Sequence, residues 1–254
     1  MKFLHIVGRK GLENLMEFVE PFQETRVLNE TGRMDESASP EWWLSSGGLF
    51  IEQGGTGKTI QGSLPAGSVW QQKYARHKPD ETDNGYHPQN VFRLITRSRW
   101  LDSIQEVDFR MNAYRESASE RRNATNGVHF INRYQDQHNL YYAGVRVDGK
   151  AVIKKKTNGI YETLARGTAF PGEYRKNGLA LIPLHAWMGL RCQVKNDEHG
   201  ASIILSLRER GAWRTVVQAR DDGSHGLVFG EGHAGIRTDF MDVEFDNYRI
   251  ARSR

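Results

Sequence analysis

Apolar and polar positions alternate with period two over most of this chain, from about residue 42 to residue 250. That period belongs to strands with one buried face. The clearest stretch is residues 127–156, GVHFINRYQDQHNLYYAGVRVDGKAVIKKK. It predicts strands over 128–134, 140–147 and 150–156. The polar run QDQHN separates the first two, and Asp148-Gly149 separates the last two. That dipeptide favours a tight hairpin because glycine accepts positive φ at no steric cost. Alternation puts His129, Ile131 and Arg133 on one face of the first strand. By the same rule Tyr142 and Arg146 share a face of the second, and Lys154 and Lys156 a face of the third. Three antiparallel neighbours would present a surface rich in His, Tyr, Arg and Lys.

Further strands are predicted over 42–44, 49–51, 91–96, 105–111, 161–164, 179–182, 185–196, 201–208, 213–219, 233–238 and 241–250. Many short strands with turn signals between them predict an all-β sandwich of two antiparallel sheets. Residues 10–20, KGLENLMEFVE, bring Leu12, Leu15, Met16 and Val19 near helical spacing. They predict a short helix in an N-terminal arm, residues 1–40, ahead of a single sandwich domain over 41–254. Residues 71–90 are polar and hold Pro79 and Pro88. They predict a long loop, a candidate cleft rim.

Composition narrows the chemistry. The chain has 254 residues, 38% of them hydrophobic, enough for one large all-β domain. Net charge is +4, which permits an anionic partner without requiring one. Cys192 is the single cysteine, so no intramolecular disulfide or cysteine-built zinc cluster can form. Its alternating surroundings predict a core position. No stretch approaches the ~18 apolar residues of a membrane helix. The N-terminus lacks a secretory pattern. A soluble chain is expected, intracellular unless a signal was removed, in which case secreted or periplasmic. No basic–aromatic arrangement points to nucleic acid.

Three segments carry a resemblance: VHFINRYQDQHNLYYAGVRVDGKAVIKKKTNGIYETLA, HAWMGLRCQVKN and GHAGIRTDFMDVEFDNYRIA. Together they resemble laminin-G-like, concanavalin A-like jelly-roll domains. WWLSSGGLF and NVFRLITRSRW are similar to the opening strands of bacterial members. The resemblance spans residues 40–252. It implies a jelly roll and a carbohydrate partner, in a superfamily that holds lectin-like modules, glycoside hydrolases and polysaccharide lyases. Fold alone does not choose among them.

Glu106-Val107-Asp108 resembles the carboxylate pair of laminarinase-type hydrolases. The further glutamate of that pattern falls on Arg110 or Met111 here. The resemblance to the lyases implies β-elimination on an acidic polysaccharide. That step needs a proton acceptor, a proton donor and cations beside the sugar carboxylate. His129 and Tyr142 are the candidate base and acid, with Arg133 and Arg146 to neutralise the carboxylate. Arg93, Arg97, Lys154 and Lys156 would extend a positive track, and Glu106, Asp108 and Arg110 complete the candidate substrate contacts. The alginate-lyase strand pattern Gln-x-His has Gly127 at the glutamine position, and its Tyr-x-Lys-Ala-Gly strand lacks the lysine.

The remaining motifs carry less. Residues 54–59, GGTGKT, resemble a phosphate loop but have Glu52 where its first glycine belongs. A glycine-rich hairpin is expected instead. Trp70, Trp100 and Trp213 are candidate sugar-stacking platforms, and Trp187 is expected in the core. No cofactor is required. Asp242 and Asp246-Asn247 could supply oxygen ligands to a structural Ca²⁺.

Overall fold

The computed structural model describes residues 16–175, 178–224, 226, 228 and 230–253. Among them are sixteen strands. The first five are β1 (Glu17–Glu20), β2 (Arg26–Asn29), β3 (Trp42–Ser46), β4 (Leu49–Gln53) and β5 (Thr56–Lys58). Two short helices follow, α1 (Val69–His77) and α2 (Pro79–Thr82). Then come β6 (Phe92–Trp100), β7 (Ser103–Tyr114), β8 (Gly127–Asp136), β9 (Asn139–Arg146), β10 (Lys150–Thr157) and β11 (Ile160–Thr168). The last five are β12 (Trp187–Asp197), β13 (Gly200–Glu209), β14 (Ala212–Asp221), β15 (Gly232–Thr238) and β16 (Met241–Arg252).

The strands form the predicted sandwich, and all their ladders are antiparallel. The larger sheet runs β14-β13-β12-β7-β16-β5-β4-β2, with β1 added along β16. The smaller runs β11-β10-β9-β8-β15-β6-β3. Alternation explains the packing. Val128, Phe130, Tyr141 and Ala143 of the smaller sheet meet Phe109, Ile203 and Phe245 of the larger in one buried cluster. Each large apolar side chain so buried contributes about 1.5–3 kcal/mol. Polar groups near the centre of the core bond to one another. The Tyr248 hydroxyl donates to Gln105 Oε1 at 2.9 Å, and Gln105 Nε2 donates to Asn132 Oδ1 at 2.6 Å. Cys192 lies in this core, and burial pushes its thiol up to about 12.

The Asp148-Gly149 turn forms as predicted, with Gly149 at φ +76°. Gly54-Gly55 is the two-residue turn between β4 and β5, so the GGTGKT segment is a hairpin. Three expectations change. The helix drawn over 10–20 lies partly outside the described residues, and its end is strand β1, hydrogen-bonded to β16. The N-terminal arm therefore supplies two strands, β1 and β2, to the larger sheet. Residues 71–90 hold most of α1 and all of α2. Tyr74 and Thr82 are the buried residues of these helices, so no apolar stripe marks them in the sequence. Residues 179–182 form no strand; an isolated bridge joins Leu184 to Met111.

Candidate functional site

The outer face of the smaller sheet is read from its register. Arg237 of β15 pairs with Arg93 of β6 on one side and His129 of β8 on the other. His129 stands opposite Gly144 of β9, which stands opposite Val152 of β10, itself opposite Arg166 of β11. The next row runs Ile95, Gly235, Ile131, Tyr142, Lys154 and Thr163. Over these rows opens a cavity of about 280 Å³, lined by His129, Tyr142, Lys154, Tyr161, Arg237 and Asp239. Thr125 and Asn126, just before β8, complete it. An apolar patch of Ile95, Ile131, Tyr134 and Leu140 continues from Tyr142, with Met34 and Trp43 packed against it.

His129 is seated by a glycine. A Cβ on Gly144 would stand 2.5 Å from both Cα and Nδ1 of His129, so any larger residue would displace the ring. His129 is 7% exposed, and its Nδ1 has no hydrogen-bond partner. Burial, then the cations Arg237, Lys154 and Arg146, hold its pKa well below the usual value, so the imidazole is neutral near pH 7. Arg237 donates from Nε to Asp239 Oδ1 at 2.9 Å, and its guanidinium lies 5.0 Å from the centre of the Tyr142 ring. Tyr142 and Tyr161 stack at 6.1 Å. Burial raises the Tyr142 phenol. Burial also acts to raise Tyr161, but Arg237 and Lys156 outweigh it and bring that phenol below its ordinary range.

The cations of this face differ in their partners. Arg146 donates to the Ala124 carbonyl and to Asp148, Arg97 to the Ser39 carbonyl, and Lys156 to the Gln137 carbonyl. Among the described residues, Arg93, Lys154 and Arg166 have neither a hydrogen bond nor a carboxylate partner. Arg93 Nε is buried in that state. Burial and the nearby Arg146, Arg237 and Arg166 lower the pKa of Lys154.

The structure therefore brings together His129, Tyr142 and Lys154, flanks them with Arg93 and Arg146, and leaves Arg97 and Lys156 farther along the face. Arg133 goes elsewhere. Its backbone is left-handed, φ +49°, and β8 shifts register there against β9. The flip breaks alternation. The guanidinium is buried and donates to Leu101 and Val228 carbonyls and to Asn196, beside Asp102. Glu106, Asp108 and Arg110 lie on β7 of the larger sheet, paired with Arg191, Arg208 and Glu244. They share no surface with His129.

The tryptophans also sort themselves. Trp100 is buried, out of reach of a sugar. Trp213 has Arg191 4.0 Å and Arg208 5.4 Å from its ring centre. Trp70 has Lys73 at 4.3 Å. Trp187, expected in the core, is 42% exposed beside Arg110. Asp242 accepts from Arg115, Gln89 and the Gly62 N–H, which fills its acceptor positions and leaves none for Ca²⁺. Among the described residues no group of three His, Cys, Asp or Glu side chains is placed to hold a metal ion. Nor is any helix long and apolar enough to cross a membrane. Sequence reasoning missed Arg237, Tyr161 and Asp239. The alternation of Ile236, Arg237 and Thr238 held the only local signal for the first.

No family model and no curated protein matches this sequence. Solved structures do match. A carbohydrate binding module, CBM66, from Bacillus subtilis is 15% identical over 83% of this chain and 94% of its own, at TM-score 0.52. The GH43 protein BlXynB from Bacillus licheniformis is 12% identical over 92% of this chain and 39% of its own, at 0.49. A legume lectin-like domain from Entamoeba histolytica is 5% identical over 89% and 97%, at 0.48. The first of these likenesses identifies the sandwich as a concanavalin A-like jelly roll.

Proposed function

We propose that this chain recognises an acidic sugar residue in the cavity over β8, β9, β10 and β15. The observation that carries the reading is the charge inventory. Lys154 stands half-buried in the cavity without a counter-ion, Arg237 stands beside it, and Arg93 and Arg166 extend the unpaired charge on either side. A carboxylate would supply the missing partner and reverse the lowering of the Lys154 pKa. The outward carboxylates Glu106 and Asp108 of the larger sheet, by contrast, are already paired with arginines. The fold shared with a carbohydrate binding module supports sugar as the ligand class. The volume is near the lower end of the roughly 300–1,000 Å³ of small-molecule sites, a match for one sugar ring. Arg237 and Lys154 would take its carboxylate, and Tyr161 and Asn126 its hydroxyls.

One observation favours a second, catalytic reading on the same site. Tyr161 is brought below its ordinary range by cations, while its stacked neighbour Tyr142 is raised. Two phenols pushed apart suit proton abstraction by the first and protonation of a leaving oxygen by the second. Arg237 would stabilise the carbanion between them. Calorimetric titration with oligouronates and with neutral oligosaccharides of equal length tests the binding reading. Salt-sensitive binding of the oligouronates alone is expected. Equal binding of the neutral series would contradict it. Ultraviolet absorbance of an unsaturated uronate in the same mixtures separates lyase from binding module.

A further inference from the structure

A second constellation lies outside this cavity, where the chain folds back after α2. Asp83 and Asn84 both have left-handed backbones, φ +50°, and Gly85 follows at +82°. The reversal is held by Thr82, whose Oγ1 accepts from the Gly85 N–H at 3.1 Å while the His87 N–H donates to the Thr82 carbonyl at 2.9 Å. Three such residues in succession are uncommon, and stored backbone strain of this kind concentrates at functional sites. The turn brings His87 back over Asp83, Nδ1 to Oδ2 at 3.4 Å. From the other side, the Leu64 N–H donates to the Tyr86 carbonyl at 2.9 Å and sets residues 62–64 beside 86–88. That pairing places Ser63 Oγ 3.0 Å from His87 Nε2.

We propose that Ser63, His87 and Asp83 form a nucleophilic triad that hydrolyses short-chain acyl esters. The roles follow from which atoms meet: hydroxyl to Nε2, and a carboxylate within ion-pair distance of an Nδ1 that makes no hydrogen bond in the unliganded chain. Drawn closer, this is the arrangement by which a serine is activated regardless of fold or sequence order. Such contacts run loose in unliganded sites. His87 is mostly buried, Ser63 is exposed, and Asp83, itself exposed, stands beside the imidazole Nδ1. Burial and Arg115 keep His87 neutral near pH 7, the form a general base requires. Among the described residues the Ser63 N–H donates to nothing within the chain, which leaves it for a developing oxyanion.

The step balances without a co-reactant other than water. Ser63 Oγ attacks the ester carbonyl carbon as its proton passes to His87 Nε2. The carbon–oxygen bond to the alcohol then breaks, and the alcohol leaves with that proton. Water attacks the acyl-serine, gives its proton to His87, and the carboxylic acid departs as Ser63 recovers the proton. Ser63 is exposed and does not line the cavity of about 830 Å³ that Asp83 and Asn84 border, so the acyl group is short and the alcohol can be large.

The test uses the whole chain with p-nitrophenyl acetate and a fluorophosphonate probe read by peptide mass spectrometry. Label on Ser63 and acetate release above buffer are expected. S63A abolishes both, and H87A lowers release at least about tenfold. Asp83 is a positioning residue: D83N lowers kcat more than KM and moves the ascending limb of the pH profile to lower pH, and D83E restores part of the rate. Ser63 lies on the surface, so S63A keeps the wild-type circular dichroism and thermal midpoint. Label elsewhere, or equal rates for wild type and S63A, overturns the proposal.

Discussion

Lys154 and His129 carry the residue-scale argument. Each is a polar group placed at the cavity, Lys154 without a carboxylate partner and His129 with its Nδ1 unbonded. Lys154→Ala is expected to weaken oligouronate binding by about tenfold or more, the loss of one charge-assisted contact, as read by calorimetry. His129 gives a pH signature. Its pKa is depressed in the fold from 6.5, so the unfolded chain takes up the proton first as pH falls. Its contribution to stability is full above about 6.5 and is lost as pH drops toward the folded value. Urea midpoints of wild type minus His129→Gln should therefore shrink below pH 6.5, and parallel curves would refute the buried neutral imidazole. At this scale alternation placed His129 with Ile131, Tyr142 with Arg146, and Lys154 with Lys156. Arg133 escaped it because one left-handed residue sends a side chain to the other face. Arg237 escaped because it reaches His129 only through the pairing of strands a hundred residues apart.

Elements are held by two buried polar ties. Lys155 points inward between Lys154 and Lys156, where its ammonium meets Asp221 at 2.9 Å and the Gly226 carbonyl at 3.0 Å. Tyr141 donates to the other Asp221 oxygen at 2.6 Å, so β9 and β10 are fastened to the end of β14. Both charged side chains are 2% exposed. Lys155→Met leaves a buried carboxylate short of its cation and should cost about 3–5 kcal/mol in urea unfolding. A loss under about 1 kcal/mol would show the tie to be incidental. Arg133→Ala strands two carbonyls and Asn196, and about 2–4 kcal/mol should go, with oligouronate affinity unchanged. The strands themselves were plain from period two, and the hairpin at 148–149 from its dipeptide. The helices of residues 69–82 were hidden because they bury little more than Tyr74 and Thr82. The strand β1 was hidden because its spacing also fits a helix.

At the scale of the whole molecule the two sheets present different surfaces. The larger pairs its outward carboxylates and arginines with one another, from Glu106–Arg191 and Asp108–Arg208 to Arg110–Glu244 and Arg249–Glu17. The smaller leaves arginine and lysine unmatched around a cavity. The net charge of +4 is too small to predict that asymmetry, and no linear pattern reveals it. It arises from which strands neighbour which. The account therefore rests on one face binding and the other not. The direct measurement is oligouronate affinity of two variants, K154A/R237A on the smaller sheet and E106Q/D108N on the larger, beside wild type. The account predicts that the first loses saturable binding and the second keeps wild-type affinity. Retention by the first, or loss by the second alone, would contradict it.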